Sequence, residues 1–138
     1  MIRCEKYDNT QVIHSIKKGM DLLGGTSLFV KPGDKIVLKP NVLIGSDPEK
    51  CVTTHPAVFR AVGSVFKEAG AIISYGDSPA FGKSEFSLKR SGLKQVGDEL
   101  GFLLADFDRG RPISHENAKS ISFLRRLWEI FQLIITVG

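Results

Sequence analysis

The sequence predicts an α/β domain with three layers, a mostly parallel sheet carrying helices on both faces. Two observations predict it. Short apolar runs alternate along the chain with longer segments whose apolar residues recur at helical spacing. The composition is also that of an ordinary globular domain. Hydrophobic residues make up 42% and charged residues 25% of 138 positions, enough for one domain around one core.

The elements follow in order. Gln11 to Leu23 places Val12, Ile13, Ile16, Met20 and Leu23 on one helical face, with Asn9 or Thr10 as cap and Gly24-Gly25 as terminator. Pro32-Gly33-Asp34 signals a turn. The run Ile36-Val37-Leu38 then reads as a buried strand that Pro40 stops, because proline cannot donate to a ladder. Pro40 to His55 reads as a long loop, a length that is uncommon and often functional. Pro56 suits the first position of a helix with Val58, Phe59, Val62, Val65 and Phe66 on its apolar face and Gly70 at its end. Ala71 to Tyr75 is the second strand and Gly76 to Ser84 a second loop. Phe86 to Leu100 is helical with a break at Gly92. Phe102 to Ala105 forms a third strand, Ile121 to Phe131 a helix and Leu133 to Val137 a fourth strand. This alternation is Rossmann-like. The chain ends directly on a strand, which suggests that the arrangement is incomplete and the amino-terminal portion of something longer.

Charge and cysteine content narrow the partners. The formal net charge is +4, but the basic residues are scattered, without the dense basic stripe of a nucleic-acid surface. Cys4 and Cys51 are far apart and form no C-x-x-C, which fits free thiols in a reducing compartment. The start is polar and lacks a signal-type apolar region, and the apolar tail is too short to cross a bilayer. The expectation is a cytoplasmic protein that binds neither nucleic acid nor membrane.

In an open α/β sheet, ligands bind beyond the carboxyl ends of the strands. Two loops qualify. The first, from Lys39-Pro40-Asn41 to Thr53-Thr54-His55-Pro56, offers a cation at a strand end and hydroxyls at a helix N-terminus, where free N–H groups attract anions. The competing roles are loop-holding for Asn41, plain capping for the threonines and a structural place for His55. The second loop carries Asp77 and Ser78 at the end of the Tyr75 strand. An acid there suits proton transfer, a metal or a ribose hydroxyl, or else simply shapes an Asx-turn. Gly82-Lys83-Ser84 matches half of a phosphate-binding P-loop, but Asp77 stands where its first glycine belongs and Pro79 removes a donor.

The stretch Gly33 to Val42, then Thr53-Thr54-His55-Pro56, Glu68-Ala69-Gly70-Ala71, Gly76-Asp77-Ser78-Pro79 and Ser91-Gly92-Leu93, in that order and spacing, resembles the domain-of-unknown-function family 362. The resemblance runs from about Gly33 to the C-terminus. It implies an association with iron–sulfur or redox proteins, since many members carry a ferredoxin-type segment, and a domain that continues into a K-x-K-T-H stretch. It implies no particular reaction. This chain has no cysteine run of its own, so a 4Fe-4S cluster would belong to a portion not present here, and no metal ligands are assigned.

The combined expectation is a domain that binds a small anionic molecule, carboxylate or phosphate, between the two loops. Lys39, Asn41, Thr53, Thr54 and Ser78 are the binding candidates, and Asp77 and His55 the candidates for proton or metal chemistry. The alternatives are a non-catalytic scaffold that docks a ferredoxin-type module, and an inert truncation.

Overall fold

The computed structural model describes residues 2–80 and 82–109, and the backbone of residues 133–137. Helix α1 spans Asn9–Leu22. Its cap is Asp8 rather than the expected Asn9 or Thr10. The Asp8 backbone is extended, which brings its carboxylate within 3.0 Å of the Thr10 and Gln11 N–H groups. Val12, Ile13 and Ile16 of α1 pack against Ala57, Val58 and Ala61 of α2, the helix Pro56–Glu68.

Between these helices in the chain comes β1, Lys35–Pro40. Pro40 is the strand's last residue rather than lying beyond it. It sits in register with Val137 of β4, Leu133–Val137, and a proline at a strand end need not donate. Strand β2 is Ile72–Tyr75. The helix expected over Phe86 to Leu100 is two helices, α3 at Ser84–Arg90 and α4 at Leu93–Leu100, broken at Ser91-Gly92 as the glycine implies. Strand β3 is only Leu103–Leu104, shorter than the expected run. The helix expected over residues 121–131 lies outside the described residues.

The sheet order is β3-β2-β1-β4 and every pair is parallel. This is an α/β fold with the strand order that opens a doubly wound sheet. The alternation of side chains along β1 and β2 separates two faces. Ile36, Leu38, Ile73 and Tyr75 pack with Phe59, Val62 and Phe66 of α2, Val96 of α4 and Phe102. Phe59 lies between Tyr75, 5.3 Å away and tilted, and Phe102, 6.0 Å away and edge-on, the arrangements ring quadrupoles prefer. Val37 and Ser74 alternate to the other face and are also buried.

The helix layer comes close to the sheet at Gly97, where an added Cβ would run into the Tyr75 ring. Burial pushes the Tyr75 hydroxyl up to about 12, with Asp98 and Glu85 adding to it. Two effects oppose each other in Gly97→Ala. Helix propensity favours alanine by about 1 kcal/mol, while overpacking costs about 1–3 kcal/mol. The expected outcome is a net loss of up to about 2 kcal/mol, read as a lower midpoint in a denaturant melt. A gain in stability would mean that Tyr75 does not press on α4.

Candidate functional site

The strand order fixes where the site lies. From β1 the chain steps to β2 and then β3 on one side, and β4 occupies the other side of β1. The direction of winding therefore reverses at β1, and crevices form beyond the carboxyl ends of strands at such a reversal. The last residues of β1 are Lys39 and Pro40. Pairing continues past the strand ends, with Gly76 N–H donating to the Leu38 carbonyl at 3.2 Å and Ala105 N–H to the Tyr75 carbonyl at 2.8 Å. The two predicted loops thus leave the same edge side by side.

Asp77 joins them. Its carboxylate is buried, and its two oxygens face different partners. Oδ1 meets the Lys39 ammonium at 2.7 Å, and Oδ2 accepts from the Val42 N–H at 2.9 Å. Lys39 also donates to Asn41 Oδ1 at 3.2 Å. An ammonium has three N–H donors, so one is left without a partner among the described residues, on a side chain about 35% exposed. Asn41 is tied in turn to the far arm of its loop. Its N–H donates to Thr54 Oγ1 and its carbonyl accepts from the Thr54 N–H, each at 3.0 Å.

Lys39, Asn41, Thr54 and Asp77 are therefore brought together. Thr53 is buried and its hydroxyl has no partner among the described residues. Ser78 is exposed. His55 is engaged elsewhere. Its ring stacks on Tyr7 with centroids 3.8 Å apart, and its Nδ1 accepts from the Ala57 N–H at 3.1 Å. It is thus the cap of α2, the role the sequence reading offered to the threonines. Partial burial holds its imidazole below the ordinary histidine range, with Glu49 pulling the other way.

Three features had no signal in the sequence. Leu43 adopts a left-handed backbone, φ 51°, although it is not glycine. Its carbonyl accepts from the Ala80 N–H at 2.7 Å, so the two loops are joined a second time. Gly45 follows with φ 62° and lies so close to the Ser87 backbone that any Cβ would collide. The start of α3 is satisfied by Asp108, whose Oδ1 accepts from the Ser84 N–H at 3.0 Å. A carboxylate already occupies that N-terminus, and Asp77 faces the other loop, so this loop does not present the phosphate cradle that its Gly82-Lys83-Ser84 pattern suggests. Among the described residues no three His, Cys, Asp or Glu side chains gather as a metal site requires.

Residues 36–137, from β1 through β4 and including both loops, match the family model described as domain of unknown function DUF362. The chain belongs to the DUF362 family. It is also 35% identical over 111 residues to a curated protein of Synechocystis sp. named Thylakoid-associated protein sll1697. That alignment takes in 80% of this DUF362 chain but 35% of the relative, so the chain spans about a third of the relative's length. No solved structure matches it. No helix among the described residues is long and apolar enough to cross a membrane.

Two outcomes follow from this geometry. Asp77→Ala strands the Val42 N–H and costs about 1–3 kcal/mol in chemical unfolding. Asp77→Asn keeps an oxygen for Val42 and costs clearly less. Equal losses would show that the bond to Val42 contributes nothing. For His55, the folded protein favours the neutral ring, so its unfolded state binds more protons below the usual value near 6.5. Its contribution to stability is present above that value and is lost as the pH falls through it toward the lower folded value. His55→Asn, which caps without titrating, should flatten that part of the pH–melting profile. An unchanged profile would contradict the capping role.

Proposed function

We propose that this DUF362 domain binds a small anionic molecule beyond the carboxyl end of β1, held by Lys39. The observation that carries the reading is the position of the Lys39 ammonium at the reversal point of the sheet. Asp77 and Asn41 fix its direction, and one donor has no partner among the described residues. A pre-oriented donor needs little further ordering when a ligand arrives. Thr53 adds a buried hydroxyl with no partner among the described residues on the adjoining arm of the loop, and Ser78 an exposed one on the other loop.

In this reading Asp77 positions Lys39 rather than moving a proton, because both its oxygens are occupied. His55 supports the N-terminus of α2 from behind the loop. The redox association, a ferredoxin-type partner and a place in the cytoplasm remain proposals that rest on family resemblance and composition. The relative's name links that protein to thylakoids, which makes the surface of an internal membrane a second place to look.

The test is a titration of the labelled protein with acetate and with inorganic phosphate, followed by amide shifts. Shifts should concentrate at residues 39–42, 53–55 and 76–78, and Lys39→Met should weaken binding at least tenfold, the usual scale for losing a charge-assisted bond. Lys39→Arg, which keeps a cation, should recover part of it. Binding that ignores both substitutions would refute the proposal.

A further inference from the structure

The same edge carries a feature that a small anion does not use. Four large apolar side chains stand in solvent there: Leu43 54% exposed, Ile44 46%, Val52 40% and Phe86 65%. Single exposed apolar residues are ordinary, but grouped ones mark contact surfaces. The backbone groups these. Leu43 is tied to the Ala80 N–H through its carbonyl, and Gly45, next to Ile44, lies against the backbone of Ser87, the residue after Phe86 in α3. Val52 stands on the returning arm, immediately before the buried Thr53.

Leu43 is also held at φ 51°, a conformation that disfavours a residue of its kind by roughly 1 kcal/mol or more. An exposed apolar side chain kept in an unfavourable backbone conformation gains nothing for folding. Such residues are retained where the surrounding structure fixes them for contact with something else.

We propose that the ligand is an amphiphilic carboxylate. Its charged end meets Lys39, and its hydrocarbon chain lies along Leu43, Ile44 and Phe86, with Val52 bordering it. The inference rests on the anion-binding reading above and names the class of ligand. The carboxylate is favoured over phosphate on charge. Asp77 already offsets Lys39 at 2.7 Å, so a second negative charge on the ligand would be repelled at close range. The Lys39 N–H left without a partner among the described residues suits a carboxylate oxygen.

The experiment compares acetate, butyrate, hexanoate, octanoate and 1-octanol by calorimetry or amide shifts, at fixed pH and salt. A fully buried methylene is worth about fourfold in affinity. On an open surface about half that effect per methylene is expected, so octanoate should bind about fifty-fold more tightly than acetate. The informative variant is Leu43→Asn with Ile44→Ser. Asparagine tolerates the left-handed backbone, so this protein should melt no lower than the parent yet lose most of the chain-length dependence. Its acetate affinity should stay the same. If acetate and octanoate bind equally at Lys39, the amphiphile is wrong and the anion site stands. If chain length matters but the double variant does not alter it, the hydrocarbon lies elsewhere and the inference falls. If no carboxylate senses Lys39→Met, or 1-octanol binds as tightly as octanoate, the anion site itself falls.

Discussion

The Asp77 carboxylate holds the functional edge of this domain together. It lies two residues beyond the end of β2, yet both its partners belong to the end of β1 and the loop after it, the Lys39 ammonium and the Val42 N–H. A buried carboxylate is tolerated only when its charge is balanced and its oxygens are hydrogen-bonded. Those two requirements dictate where Lys39 points and where the loop after Pro40 turns. The Asn41–Thr54 bonds then close that loop onto the start of α2. A bond from Ala80 to Leu43 joins it to the second loop. One charged group thus converts two long loops into a single surface, and it does so at the point where the sheet reverses its direction of winding.

The division of labour between the ends of the domain follows from this. The face toward α2 and α4 is filled by close apolar contacts among Leu38, Tyr75, Phe59 and Phe102, where stability is generated. The carboxyl edge instead holds a left-handed leucine and several exposed apolar side chains. None of these favours folding. Departures of this kind from local rules collect at functional positions, where the rest of the fold offsets them.

Much of the fold was legible in the sequence because its signals are local. Helical spacing in α1 and α2, Gly92 between α3 and α4, and apolar runs at β1 and β2 report on neighbouring residues alone. The parallel pairing of β1 with β2 followed from the helix between them. Lys39 and Asp77 were recognisable as strand-end residues, but their mutual contact joins positions 38 residues apart, and nothing local encodes it. His55 was readable as a helix-start residue, yet its stacking on Tyr7 depends on how the N-terminal segment returns to α2. The Leu43 conformation left no trace at all, since a leucine gives no signal of positive φ. The caps were misplaced by a residue or two because several adjacent Asp, Asn and Thr side chains compete for the same N–H groups.

The central claim is that the Asp77 carboxylate fixes the first loop through the Val42 N–H. Native-state hydrogen exchange at that amide tests it most directly. The account predicts that the Val42 amide, although it lies in a loop, exchanges as slowly as the β1 amides of Val37 and Leu38, and that Asp77→Ala makes it exchange orders of magnitude faster while those β1 amides change little. Rapid exchange at Val42 in the parent protein, or protection that survives Asp77→Ala, would contradict it.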